Sequence, residues 1–219
     1  MNKGVVVFGT GSFAQCVKFY LTNDSDYEVV AFTVTADHIE APEFEGLPLV
    51  PFESIESKYP PAEYGMFVAA GYRDLNRMRA GFYERAKAKG YELITYISSK
   101  CTYWGNQIGD NCFIFEDNTV QPFGTIGNNV VLWSGNHIGH HVSIGDHTFI
   151  AAHVVISGHV TIGTHCFVGV NSTFRDAISI GNYCIIGAGA IVMKSTGDKK
   201  LLIAPRTVPD TRSVDEINF

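Results

Sequence analysis

Residues 133–147 read WSGNHIGHHVSIGDH and hold four of the chain's eight histidines, three of them in HIGHH. An imidazole, with an ordinary pKa of about 6.5, can take a proton from an attacking nucleophile at neutral pH. Clustered imidazoles can also ligate a divalent metal. The bland alternative is polar filler at a repeated structural position. Which chemistry applies depends on the elements that carry these residues.

Those elements repeat. From Ile108, steps of six residues land on Ile114, Val120, Ile126, Leu132, Ile138, Ile144, Ile150, Ile156, Ile162, Val168, Phe174, Ile180, Ile186 and Val192 without a miss. Glycine often follows directly, as at Gly109, Gly127, Gly139, Gly145, Gly163, Gly181 and Gly187. Small or β-branched residues stand four places on, as at Cys112, Val130, Val142, Thr148 and Val154. A six-residue period predicts a parallel β-helix of triangular coils, with three hexads per coil, the aliphatic residue inward and the glycine helping the chain round the corner. Equivalent residues of successive coils then stack about 4.8 Å apart. His141, His147, His153, His159 and His165 all fall three places after the aliphatic residue, near a corner. His141 is expected beneath His159, and His147 beneath His165. His137 and His140 break that series.

Residues 4–97 have a different rhythm. GVVVF, EVVAFTV (28–34) and MFVAAG (66–71) are short apolar runs. FAQCVKFYL and LNRMRAGFYERAKAKG have helical spacing, the second closing at Gly90. YELITYI reads as one further strand. This is a parallel α/β pattern of half-Rossmann size. The expected organisation is an α/β half-Rossmann domain over 1–100 and a parallel β-helix with a C-terminal tail over 101–219. Gly9-Thr10-Gly11-Ser12-Phe13-Ala14 fits GxGxxA between strand and helix, but one mononucleotide-binding half leaves no second site for a dinucleotide. Gly71, Tyr72, Asn76 and Arg79 follow the middle strand at its carboxyl end, where open α/β sheets bind ligands.

Composition bounds the partners. Apolar content of 46% and charged content of 17% fit a folded globular chain, and the net charge of −6 argues against nucleic-acid binding. No stretch approaches the roughly 20 apolar residues of a membrane span, and no basic-then-apolar leader opens the chain. Five cysteines without a CxxC pair fit a reduced, cytoplasmic protein.

The hexad run over 102–192 is similar to the left-handed β-helix of acyl-CoA-dependent acyltransferases. Through FGTGSFAQ, AAGYRDLNRMR, FEDNTVQPF, WSGNHIGHH and FIAAHVVISG, the whole chain resembles the bacterial nucleotide-sugar acyltransferases of the sialic-acid O-acetyltransferase type. Within them it is closest to those that N-acetylate UDP-, dTDP- or GDP-linked 4-amino-4,6-dideoxyhexoses. The resemblance implies acetyl-CoA as co-substrate and His140 as general base, with the neighbouring His141 as the rival for that role. It places the acyl-carbonyl contact at Gly158, one coil above His140. It puts the nucleotide-sugar diphosphate at Gly9, Gly11 and Ser12, with Asp37 at the base or ribose. Gly71, Tyr72, Asn76, Arg79, Asn118 and His141 complete the expected substrate contacts. Gly169, Ala188, Lys194 and Pro205 line the CoA path. The family assembles as a homotrimer with its active site between two helices, and its products feed O-antigen, lipopolysaccharide or capsule assembly.

Five points depart from the family or remain open. Related enzymes often carry an acidic residue just before the base, and here that place is Gly139. Asn118 or Asn136 on adjacent coils is then expected to orient His140, or the base is less polarised. No catalytic metal is expected, because carbonic anhydrases on this helix need two histidines five apart and no pair here is so spaced. His137 and His141 share a turn without a third ligand. Between Ile108 and Val192 the only Lys or Arg is Arg175, so cations for CoA are expected from Lys194, Lys199, Lys200, Arg206 and Arg212. Trp133, Phe149 and Phe167, apolar but outside the aliphatic core, are expected to face a neighbouring subunit. Two rival functions stay open: sugar O-acetylation of the sialic-acid type, and non-catalytic sugar-nucleotide binding.

Overall fold

The computed structural model describes residues 3–216, so the outermost residues of both expected domains lie outside the described residues. The N-terminal half is a sheet of six strands flanked by two helices. In chain order these are β1 (Lys3–Phe8), α1 (Ser12–Asn23), β2 (Tyr27–Val34), β3 (Glu43–Phe44), β4 (Leu47–Pro51), β5 (Gly65–Val68), α2 (Arg77–Ala88) and β6 (Glu92–Leu93). The sheet order is β3-β4-β2-β1-β5-β6, with only β3 and β4 antiparallel. Val5, Val6 and Val7 are fully buried because β1 is central and covered on both faces. The prolines at 48 and 51 hid β4 from the sequence reading, since proline removes a ladder donor. YELITYI is not one strand. Glu92–Leu93 pairs with β5, whereas Tyr96–Ile97 pairs with Phe113–Ile114 and so opens the second half.

From Tyr96 to Val192 the chain forms successive two-residue strands, each ending in a large apolar residue. The strands build three parallel sheets of seven, six and five members, the faces of a triangular prism. Pairing steps by one coil, as in Phe113↔Val131↔Phe149↔Phe167 on the first face and His137↔Val155 on the second. The inward residues form one continuous core from Cys112 to Val192. The turn is made three places after the aliphatic residue, where Asn129, His141, His147, His159 and His165 have φ of +55° to +62°. The glycines one place after the aliphatic residue do not make the turn. A Cβ on Gly145 would lie 2.7 Å from the carbonyl carbon of Gly163 in the next coil, so glycine there serves close stacking.

Trp133, Phe149 and Phe167 pack within the same chain. They lie on the first face under the N-terminal half, in one cluster with Phe13, Tyr20 and Phe67. Phe13 packs on Phe113 and Trp133 at 5.8 and 5.9 Å between centroids. The polar part of this seam centres on Arg79, which is fully buried. Its guanidinium donates to Asn129 Oδ1 and O, Asn76 Oδ1, Gly71 O and His147 O at 2.9–3.3 Å. Asn76, also fully buried, donates to Cys166 O. Both residues were expected at the ligand; both are instead consumed in joining the two halves. Asp74, Leu75 and Asn76 adopt φ of +50°, +48° and +64°, a rare left-handed run that sets Asn76 into the seam.

The seam carries a titration signature. Asn129 Nδ2 lies 2.9 Å from His147 Nδ1, which fits an amide donating to a neutral ring. Burial, then the neighbouring His165 and Arg79, push the His147 pKa down to about 4 against the opposing charge of Asp146. The folded pKa lies below the unfolded one, so His147 contributes its full stability above about pH 6.5 and loses it as pH falls toward about 4. Denaturant midpoints are therefore expected to fall across that window in the wild type. The fall should be shallower in His147→Asn, which keeps a side chain suited to positive φ. An identical pH slope in the two proteins would contradict this assignment.

Candidate functional site

Two connected cavities lie along the seam. The first, about 540 Å³, opens at the carboxyl ends of β1, β2 and β5. Gly9 is obligatory at its rim: φ is +125°, and a Cβ would stand 2.9 Å from Ala69 O. Gly11 caps α1 without a side-chain hydrogen bond, and no acidic residue occupies the first turn. The first-turn N–H groups and the helix dipole therefore face the cavity free to take an anion. Gly9, Gly11, Ser12 and Gly71 line it. Arg73 and His38, not singled out from the sequence, add its cationic and polar groups. Asp37 does not line it. Its carboxylate points outward and lies 3.0 Å from His38 Nδ1, so it orients His38.

The second cavity, about 670 Å³, continues from the first through the shared Ser12, Phe13 and Gly71. Its floor is the first face of the prism, with Trp133, Phe149 and Phe167, and it extends to Gly169 and Ala188. Tyr72 leans over this floor, 5.1 Å from Phe149 and 4.8 Å from Phe167. At Gly169 a Cβ would lie 2.6 Å from Ala188 N, so glycine there lets the next coil stack closely, as at Gly145. Lys194 and Pro205 are exposed and line neither cavity, and Lys199, Lys200, Arg206 and Arg212 are likewise exposed. Asn118 does not reach a ligand either. It is buried inside the coil, donating to Phe115 O and Trp133 O at 2.9 Å and accepting from Asn136 N. Asn136 donates to Trp133 O and accepts from Val154 N, so neither asparagine orients His140.

The histidines sit elsewhere. His140 and His141 follow the second-face strand His137–Ile138 and turn the corner toward Ser143–Ile144 of the third face. In a triangular prism that corner lies opposite the first face, and hence opposite the cavities of the same chain. His140 occupies the space Gly158 leaves open, since a Cβ there would stand 2.7 Å from His140 Nε2. The Gly158 carbonyl accepts from Ala177 N, whereas its N–H has no acceptor among the described residues. His141 and His159 stack at 4.6 Å and 15°, as expected. His147 and His165 lie 4.6 Å apart, tilted by 51°. His140, His141 and His159 bring ring nitrogens within 4.8 Å of one another, a triple the sequence spacing did not reveal. The stacked rings of His141 and His159 direct their in-plane lone pairs along parallel lines, a poor match to convergent tetrahedral ligation.

The repeat and the fold define a class. Residues 123–158 match the model of the bacterial transferase hexapeptide (six repeats), and residues 159–194 match the hexapeptide repeat of succinyl-transferase. No curated protein matches the sequence. Solved structures place the chain more closely, as a left-handed β-helix behind an α/β domain. The acetyltransferase domain of PglB from Neisseria gonorrhoeae superposes with a TM-score of 0.83 at 21% identity, covering 93% of this chain and 97% of that one; it is also known in complex with acetyl coenzyme A. PerB from Caulobacter crescentus, in complex with CoA and GDP-perosamine, superposes with a TM-score of 0.82 at 25% identity over 92% and 94% of the two chains. WeeI from Acinetobacter baumannii gives 0.70 at 18% identity over 91% and 96%.

The seating of His140 over Gly158 yields a direct test. In a Gly158→Ala crystal structure, the added methyl should turn the His140 ring off its seat while the coils keep their register. A ring unmoved within coordinate error would show that Gly158 does not set its position.

Proposed function

We propose that the chain is an acetyl-CoA-dependent N-acetyltransferase acting on the 4-amino group of a nucleotide-linked 4-amino-4,6-dideoxyhexose. The observation that carries this reading is one continuous path. It runs from the uncapped α1 N-terminus, suited to a diphosphate, across an aromatic floor suited to a deoxy sugar, to the end lined by Gly169 and Ala188, suited to the pantetheine arm. The folds of PglB and PerB, known with acetyl-CoA or CoA, support the acyl donor.

The chemistry uses few groups. A sugar amine arrives at neutral pH mostly as ammonium and must lose a proton to attack. Once that first proton has gone to solvent, the neutral nitrogen bonds to the thioester carbonyl carbon and His140 Nε2 takes a second proton from it. The oxyanion is held by the free N–H of Gly158. Collapse breaks the C–S bond, and the CoA thiolate leaves with the proton His140 returns. No covalent enzyme intermediate and no metal enter.

A lone chain keeps its cavities and His140 on opposite sides of the prism, so the working unit is a homotrimer in which a neighbouring copy brings His140 to each cleft. The second face supports this with outward apolar residues, Val155, Ile191 and Met193 exposed by 41%, 73% and 52%. Among the described residues no helix is long and apolar enough to cross a membrane. Five free cysteines suit a cytoplasmic enzyme.

Incubation with acetyl-CoA and a panel of UDP-, dTDP- and GDP-linked amino sugars should release free thiol, unchanged after exhaustive EDTA treatment. His140→Asn should lower kcat by about 10²–10⁴-fold with little change in KM. It should also abolish the rise of kcat with pH. Thiol release with hydroxyl acceptors alone, or turnover lost to EDTA and restored by zinc, would overturn the reading.

A further inference from the structure

We infer that His141 positions His140, occupying by an imidazole the role that a carboxylate plays beside many catalytic histidines; this rests on His140 being the base. A histidine that accepts a proton at Nε2 must already carry one at Nδ1, and that N–H needs an acceptor to fix tautomer and ring orientation. His140 Nδ1 lies 3.0 Å from His141 Nδ1, and the two rings meet edge to face. With its own proton on Nε2, His141 is the acceptor. When His140 becomes an imidazolium, the bond between them becomes charge-assisted and strengthens.

His141 is itself held. Its ring lies between Phe123, 5.0 Å away, and His159, stacked at 4.6 Å. Its backbone is locked at the corner by a φ of +57°. No other side chain competes for the task. Gln121 Oε1 accepts from the His140 backbone N–H. His159 meets the His140 ring edge to face at 5.0 Å with no hydrogen bond between the two. His137, on the same turn, shows no ring contact with His140. Arg175 and Asp176, the nearest charged residues along this corner, stand a further coil on, beyond Ser157 and Gly158. The residue before the base is glycine and offers nothing. The acceptor therefore comes from the residue after it.

The test compares wild type, His141→Ala and His141→Asp. Both substitutions suit the corner, because Ala177 and Asp117 occupy the same hexad place with φ of +54° and +58°. Aspartate also places Oδ1 at the branch position of the histidine Nδ1. His141→Ala should lower kcat by about 10–100-fold with KM for both substrates little changed. His141→Asp should recover most of that loss. The pH at which kcat levels off should rise in the order Ala, His, Asp, as acceptors of increasing negative charge favour the imidazolium. Coincident pH limbs in the three proteins, or full turnover in His141→Ala, would overturn the inference. His140→Asn separates the two claims. If it keeps turnover and the pH limb, the base is misassigned. If it loses both while His141→Ala is silent, only the positioning role fails.

Discussion

A guanidinium with no carboxylate partner holds the two halves of this molecule together. Arg79 is fully buried, and burial lowers its pKa to about 9, so it stays charged at neutral pH. Neutral oxygens from both halves surround it: Gly71 and Asn76 on one side, Asn129 and His147 on the other. A buried charge so arranged is tolerable only while every hydrogen bond is made. The clamp therefore fixes the α/β half against the first face of the prism in one position. Both cavities lie in that seam, and Gly71, whose carbonyl Arg79 holds, lines both of them. The width and course of the binding path follow from this contact.

The prism supplies the other constraint. Its corners repeat one geometry, with a left-handed residue three places after each inward aliphatic. Asparagine, aspartate and histidine suit that geometry, which accounts for most of the chain's histidines without any chemistry. The proposed function draws on a place where the repeat is broken. At Gly158 a missing side chain opens a seat for the His140 ring and leaves an N–H free. In the proposed mechanism, that single absence sets one coil apart from an otherwise structural stack.

The prism was legible because the hexad signal is repeated many times over and each coil contacts only its neighbours, so period alone sets register. The corner place of the histidines and the stacking of His141 beneath His159 followed from the same arithmetic. What the period could not convey was which face another element would cover. Trp133, Phe149 and Phe167 read as exposed apolar residues, yet they are the floor beneath the α/β half. Asn76 and Arg79 read as ligand contacts because they follow a strand at its carboxyl end. Three consecutive left-handed residues turn that segment inward; Asp74 and Asn76 tolerate that geometry, but Leu75 between them gives no sign of a continuous run. Asn118 reads like a polar site residue, but it satisfies coil carbonyls, a need visible only once the coils are stacked. The bond between His140 and His141 depends on side-chain direction at a corner, which spacing does not give.

The central claim is that the cleft of one chain and His140 of another form a single site. Mixing subunits tests it most directly. His140→Asn leaves the cleft intact, and Ser12→Trp fills the seam shared by both cavities while leaving His140 intact. Each variant alone should be inactive. Unfolded and refolded together in equal amounts, they should regain about a quarter of wild-type turnover, the share of sites that pair an open cleft with an intact histidine under random assembly. A mixture that stays as inactive as its components, with mixed oligomers demonstrated by mass, would contradict the account.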